Sequence, residues 1–270
     1  VDLLADTFRA AGREMSDYLT LDVVDPMYRA TFADGSEIRF RHDRDAMTEE
    51  IRRFANAREA GAFNEFCDWL GELFEAEMPN YVDSNFDGVF DFVSRWRAAV
   101  GVVRHGGLAR LDTKIASFFD DERLRRIFSF QTLYAGLAPR DSLAAYSIIT
   151  YMDMRGIHAP RGGMHAVPVA LARAVAEAGA TVRYNMPVTR ILRGGDNAVT
   201  GVEVGGAERF VADVVVCNAD LPVAYRTLLG GVDAPRAARR GKYSPSCLLW
   251  VAGVRGEAAD GVHRGAHRYL

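Results

Sequence analysis

Residues 157–193 read IHAPRGGMHAVPVALARAVAEAGATVRYNMPVTRILR, and residues 210–221 read FVADVVVCNADL. Val167, Leu171, Ala174, Val175 and Ala178 recur at helical spacing, so the first stretch predicts an amphipathic helix with one apolar stripe. Gly162 and Gly163 form a turn that feeds it, and Gly179 ends it. Pro168 falls near the first turn, where backbone N–H groups have no intrahelical partner and the ring is tolerated. TVRY (181–184) and VTRIL (188–192) follow as short alternating strands. Gly194, Gly195, Asp196 and Asn197 supply the positive φ angles of a tight hairpin that returns through AVTGVEV. The run Val214, Val215, Val216 and Cys217 has no polar alternation, the pattern of a strand covered on both faces. Together these elements predict one crossover of a parallel, nucleotide-binding sheet. Ligands of such sheets lie beyond the carboxyl ends of the strands, which would place Asn218, Ala219 and Asp220 against the nucleotide.

With 270 residues, 49% of them hydrophobic, the chain can bury a sizeable core, and two structural units are expected. A formal charge of −3 gives no basic field for a polyanion, which argues against a nucleic-acid partner. Cys67, Cys217 and Cys247 are widely separated in apolar surroundings and are expected to be buried, reduced thiols. The longest charge-free runs, SLAAYSIITYM and YSPSCLLWVAGV, are too short to span a bilayer.

The segment MYRATFADGSEIRFR (27–41) predicts two strands around the Asp34-Gly35 turn. From Arg44 to about Asp153 the pattern is mostly helical. Phe63, Phe66, Cys67, Leu70, Leu73 and Phe74 make one broad stripe, and Leu124, Ile127 and Phe128 make part of another after Asp120-Asp121. The segment GVFDFVSRWRAAVGVVRHGG (88–107) admits two readings. It is either a core-facing helix with solvated arginines, or an interfacial helix with Trp96 and the arginines at a headgroup layer and Phe90, Phe92 and Val93 dipping toward acyl chains.

No two glycines stand in G-x-G spacing, so the fingerprint that brings backbone N–H groups onto a pyrophosphate is missing. The chain also opens on Val1 and closes on HRGAHRYL without a polar tail. These features suggest an internal piece of a longer protein.

Four blocks carry a family resemblance: DPMYRATFADGSEIRF, DDERLRRIFSFQTLYAGLAP, PRGGMHAVPVALARAVAEAGATV and ADVVVCNADLPVAYRTLL. In their order along the chain they resemble the bacterial phytoene desaturases, FAD-dependent carotenoid desaturases of the flavin amine oxidase superfamily. The resemblance implies an α/β (α+β) fold: part of a Rossmann-like FAD-binding domain, with an inserted substrate domain made of a sheet and a helical lid. Residues 1–19 and 156–233 would belong to the FAD domain, and residues 20–155 and 234–270 to the substrate domain. The implied reaction is desaturation of phytoene or a similar polyene toward lycopene, with FAD as cofactor. Both Gly-rich ends of the family pattern are missing, so the chain by itself is expected to hold no FAD and to be inactive. The polyene has no polar handle, so apolar area must recognise it, and the protein would sit peripherally on the inner face of the cell membrane.

The resemblance also nominates residues. Arg97 falls where similar desaturases carry an arginine near the flavin cavity. Ser94 stands where those relatives have an acid, so a carboxylate-based proton transfer has no residue there. Arg97 is otherwise a surface residue of an amphipathic helix. Arg161 would offset negative charge on a reduced flavin, while Gly162 and Gly163 would allow close backbone approach to the ring. The alternative is a simple helix start beside a solvated arginine. Val188 would meet the adenine through its backbone. His158 and His165 flank the Gly-Gly turn without further ligands at metal spacing, so no metal is expected. His267 matches a family histidine near the substrate-domain strands. Other reactions on the same frame, such as carotenoid isomerisation or oxygenation, and a cofactor-free protein binding apolar lipid or a partner, remain compatible with these residues.

Overall fold

A computed structural model describes residues 2–84, 90, 94–195, 197–230, 232–241, 243 and 267–268. The first helix is α1 (Asp2–Ala10), followed by strands β1 (Leu21–Val23), β2 (Tyr28–Thr31) and β3 (Glu37–Phe40). Helices α2 (Arg44–Phe54), α3 (Ala57–Glu77), α4 (Trp96–Arg104), α5 (Leu111–Phe118), α6 (Glu122–Ile127) and α7 (Ile148–Met154) come next. Then follow β4 (His158–Pro160), α8 (Ala166–Glu177), β5 (Val188–Arg193), β6 (Val199–Val204), β7 (Glu208–Val211), α9 (Arg236–Arg240) and β8 (His267–Arg268). Mixed helices and small sheets make an α/β chain. It divides into two compact units, one containing Leu19–Val167 and β8, the other Asp2–Tyr18 with Pro168–Tyr243.

The first unit is built around aromatic side chains. α3 begins at Asn56, whose side chain accepts the Glu59 N–H at 3.0 Å and so satisfies one of the orphan donors of the first turn. Asp43 caps α2 in the same way through Ala46 N–H at 2.8 Å, and Asp121 caps α6 through Arg123 N–H at 2.8 Å. Helical spacing along α3 puts Phe63, Phe66, Cys67, Leu70 and Leu73 on its buried face, as the sequence pattern predicts. Phe128 stands at the centre of this core, with ring centroids 5.6 Å from Phe63, 5.1 Å from Phe66 and 4.9 Å from Phe119. Such tilted and offset pairs add to the burial of ring area.

The expected hairpin is present: β2 and β3 pair antiparallel, Tyr28 opposite Phe40 and Thr31 opposite Glu37. Asp34 accepts the Ser36 N–H at 2.9 Å, and Gly35 takes the left-handed conformation at φ 80°. β8 adds to β2 in parallel, with Ala30 opposite His267. β1 pairs antiparallel with β4, Leu21 opposite Pro160 and Val23 opposite His158.

In the second unit α8 forms where the periodicity predicts. Its C-terminus closes in a two-bond motif, Gly179 N–H to Ala176 O at 3.0 Å and Ala180 N–H to Val175 O at 3.2 Å, with Gly179 at φ 90°. Tyr18 and Arg173 both bond the Glu177 carboxylate, and the Arg173 guanidinium lies 4.3 Å over the Tyr18 ring. β5, β6 and β7 form an antiparallel meander, with Ile191 opposite Val202 and Val202 opposite Phe210. Asn197 supplies a positive φ of 67° in the first hairpin, while Asp196 lies outside the described residues.

The parallel crossover is a correction. Residues 181–184 and 214–217 belong to no strand, and Val214 and Val216 are 76% and 89% exposed. A strand needs ladder partners, and among the described residues none lies alongside either segment. The apolar stripe of α8 is likewise only partly covered: Ala170 and Ala174 are buried, but Val175 is exposed. Cys217 is exposed rather than buried, as are its neighbours Val214 and Val216, because among the described residues no strand covers this run; Cys67 is buried as expected, and Cys247 lies outside the described residues.

Candidate functional site

The best-defined candidate geometry lies at the end of β4. The β1–β4 ladder continues one step past Pro160, where Arg161 N–H donates to Thr20 O at 2.9 Å. The chain then turns through Gly162 and Gly163, each at φ 86°. Side-chain residues rarely adopt this conformation, so glycine is required at both positions. A Cβ placed on either glycine would meet no heavy atom within 4 Å, so the turn presents bare backbone toward open space. Gly163 N–H returns to Pro160 O at 3.0 Å, and Ala166 N–H to Gly163 O at 3.0 Å starts α8.

Arg161 is not a free cation. Its Nε donates to Asp22 Oδ2 at 2.9 Å and its Nη2 to Asp22 Oδ1 at 3.0 Å, a two-point pair. These hydrogen bonds hold the Asp22 carboxyl below the usual carboxylate range and push the Arg161 guanidinium up. Sequence reading singled out Arg161 and missed Asp22. The available signal was an acid within the short strand LDV, but its partner is far away in sequence.

Arg97 stands on α4, exposed, with its guanidinium 5.5 Å over the Trp96 ring. Among the described residues it forms no ion pair. Ser94 precedes it by one turn and is exposed. On the same helix Trp96, Val100 and Val103 are all exposed, whereas Val102 is buried. Of the residues assigned to the interfacial reading, Phe90 is exposed and Phe92 and Val93 lie outside the described residues.

In the second unit Val188 opens β5, paired with Val204. It lines an open hollow of about 410 Å³ together with Thr181, Arg183, Met186, Val204 and Phe210, where the Arg183 guanidinium lies 4.9 Å from the Phe210 ring centroid. Asn218, Ala219 and Asp220 form an exposed loop, and Asp220 O accepts Ala224 N–H at 2.9 Å to start a short helical turn at Leu221–Val223. The structure thus joins Arg161, Gly162 and Gly163 in one turn of the first unit, with Arg97 on a separate helix of that unit. Val188 and the 218–220 loop belong to the second.

The first unit also holds one buried and one half-buried acid, Glu77 and Asp153, that periodicity does not reveal. Glu77, at the end of α3, is 6% exposed; among the described residues its Oε1 has no hydrogen-bond partner, and burial pushes its carboxyl up to about 7. Burial also raises Asp153, on α7, to about 6. Cys67 lines a cleft of about 490 Å³ with Arg44 and Asp68, and burial pushes its thiol up to about 12, which disfavours the nucleophilic thiolate. Among the described residues no group of three metal-ligating side chains comes together, and no helix is long and apolar enough to cross a membrane. His158 stands in β4 and His165 is exposed just before α8; β8 includes His267 through its backbone.

Comparison with known proteins identifies the class. The family of flavin containing amine oxidoreductases matches residues 5–252, and the chain belongs to that family, whose cofactor is a flavin. Phytoene dehydrogenase of Streptomyces griseus is 43% identical over 94% of this chain and 49% of its own length. The zeta-carotene-forming phytoene desaturase of Myxococcus xanthus is 37% identical over 84% of this chain and 44% of its own length. Hydroxyneurosporene desaturase of Cereibacter sphaeroides is 32% identical over 97% of this chain and 53% of its own length. The chain spans about half the length of these curated relatives.

Two features of the chain bear on whether it holds part of a flavin nucleotide. The Gly162–Gly163 turn is free of side chains and opens outward, as a planar ring requires of a surface it is to approach closely. The 270 residues contain no G-x-G phosphate turn, so the pyrophosphate has no clamp of that kind in this chain.

Proposed function

We propose that the polypeptide carrying this chain is an FAD-dependent desaturase that introduces C=C bonds into phytoene or a similar carotenoid precursor. The carrying observation is the 43% identity to a phytoene dehydrogenase over 94% of this chain. When bound, the flavin supplies the acceptor for a hydride from an allylic carbon. Gly162 and Gly163 would present bare backbone to the ring. Val188 is assigned to the adenine, and Asn218, Ala219 and Asp220 to the nucleotide. Arg97 and Arg161 are the candidate cations near the reacting atoms. Arg161 enters this role already paired with Asp22, so what it offers is a fixed orientation rather than an unbalanced positive charge.

Recognition of the hydrocarbon falls to apolar area, at roughly 25 cal/mol per Å² removed from water. We assign the polyene to a substrate domain comprising residues 20–155 and 234–270, with a helical lid. Residues 1–19 and 156–233 are assigned to the FAD domain. The exposed Trp96, Val100 and Val103 recur at positions i, i+4 and i+7 of α4, with Arg97 and Arg104 beside them. This arrangement supports peripheral docking on the inner face of the cell membrane, from which a dissolved polyene is collected.

The test is expression of the whole polypeptide carrying this chain, followed by assay with phytoene in liposomes. A yellow protein that forms more unsaturated product is expected. A colourless protein without product would overturn the desaturase reading and favour an apolar-lipid binder.

A further inference from the structure

We infer that Asp22 is a positioning residue of the flavin site: by holding Arg161 in a two-point pair beside the Gly162–Gly163 turn, it sets the charge that this turn presents to a bound ring. The inference rests on the flavin assignment made above. Asp22 stands opposite Ala159 in the β1–β4 ladder, so their side chains leave on one face, and Arg161, two residues beyond Ala159, leaves on that face too. The two side chains are therefore diagonal neighbours, a spacing that a long guanidinium side chain spans. The observed bonds of 2.9 and 3.0 Å use both carboxylate oxygens and two guanidinium nitrogens.

Stability does not account for this arrangement. The side chains are 69% and 52% exposed, and exposed pairs contribute only about 0–1 kcal/mol. What the fork does supply is orientation, since two parallel hydrogen bonds define the plane of the guanidinium as well as its position. That orientation is fixed at the residue immediately before two glycines whose backbone faces open space. A ring covering those glycines would exclude water from the pair and strengthen every charge interaction there. A neutral pair leaves the electron affinity of that ring nearly unbiased. An unpaired Arg161 would favour the electron-rich reduced form, and an unpaired Asp22 would oppose it.

The experiment measures the two-electron midpoint of FAD in the whole polypeptide by spectrophotometric equilibration with reference dyes. Asp22→Asn is expected to raise the ratio of reduced to oxidised flavin at a fixed potential by on the order of tenfold, which is about 30 mV for a two-electron couple. Arg161→Gln is expected to lower it by a similar factor. The double variant should return close to the parent, and Asp22→Glu should preserve the parent value. Such a sign-reversed and compensating pattern tracks charge, and loss of packing does not produce it. Unchanged midpoints in both single variants with FAD bound would overturn the role of Asp22 while leaving the flavin assignment intact. A parent polypeptide that binds no FAD would remove the flavin assignment itself, and this inference with it.

Discussion

Gly201 and Phe210 approach each other across the β6–β7 ladder so closely that a Cβ on Gly201 would lie 2.0 Å from Phe210 O. Gly201 also sits at φ 148°, a conformation that side-chain residues rarely adopt. Close backbone approach and special conformation coincide at the centre of the meander that carries Val188. Gly201→Ala is therefore expected to destabilise the second unit by roughly 2–4 kcal/mol. Gly195→Ala, whose Cβ meets nothing within 4 Å, serves as the control. Urea unfolding followed by circular dichroism reads the difference, and equal midpoints for the two variants would contradict the close approach.

Phe128 makes the equivalent contribution in the first unit. It is fully buried and stacks or tilts against Phe40, Phe63, Phe66 and Phe119. Removing the ring leaves a cavity walled by four other aromatic side chains, which cannot collapse without losing their own contacts. Phe128→Ala is expected to cost about 3–5 kcal/mol, and Phe128→Leu distinctly less. Thermal unfolding of the two variants checks the order, and a loss below 1 kcal/mol for Phe128→Ala would contradict the assignment of Phe128 to the core centre.

The exposed face of α4 makes a third prediction, about partition rather than stability. Replacing Trp96, Val100 and Val103 by serine removes apolar area that faces solvent, so the fold should survive. Binding to anionic liposomes should fall by on the order of tenfold or more. Sedimentation of the polypeptide with vesicles measures it, and undiminished binding would remove α4 from the membrane contact.

How much of this was legible in the sequence depends on whether the determining contact is local. The stripe of α3 is legible because one face of one helix meets one core, and the spacing of Phe63, Phe66 and Leu70 records that directly. The Asp34-Gly35 hairpin is legible for the same reason: its turn chemistry lies within four residues. Family blocks also carried the flavin assignment, which no single motif in the chain would have done. The run Val214–Cys217 was misread because its composition states what covering the segment requires, but not whether a neighbouring strand lies alongside. Cys217 follows it into exposure. The Asp22–Arg161 pair was half legible: the arginine stands beside a conspicuous Gly-Gly turn, while its partner is 139 residues away and is brought near only by pairing of two three-residue strands. Glu77 was illegible, since a helix-terminal glutamate ordinarily points to water.

Glu77 also contributes to the pH dependence of stability. Its carboxyl is raised from 4.5 to about 7 by burial, so between those values the folded chain holds a proton that the unfolded chain has released. Stability contributed by neutral Glu77 is then fully present below about pH 4.5 and is lost as pH rises toward 7, beyond which the loss is constant. Asp153, raised to about 6, adds a slope of the same sign at lower pH. Carboxylates held down by partners, including Asp22, Asp34, Asp68 and Asp121, act in the opposite sense at acid pH, so the parent curve is a composite. Glu77→Gln isolates one component. It keeps the shape of the protonated acid and cannot ionise, so it should match the parent near pH 4 and exceed its stability by about 1–3 kcal/mol at pH 8. Urea unfolding across that range reads the difference. A variant that is less stable than the parent at pH 8 would mean that the carboxylate is paired in the fold, contrary to the orphaned Oε1.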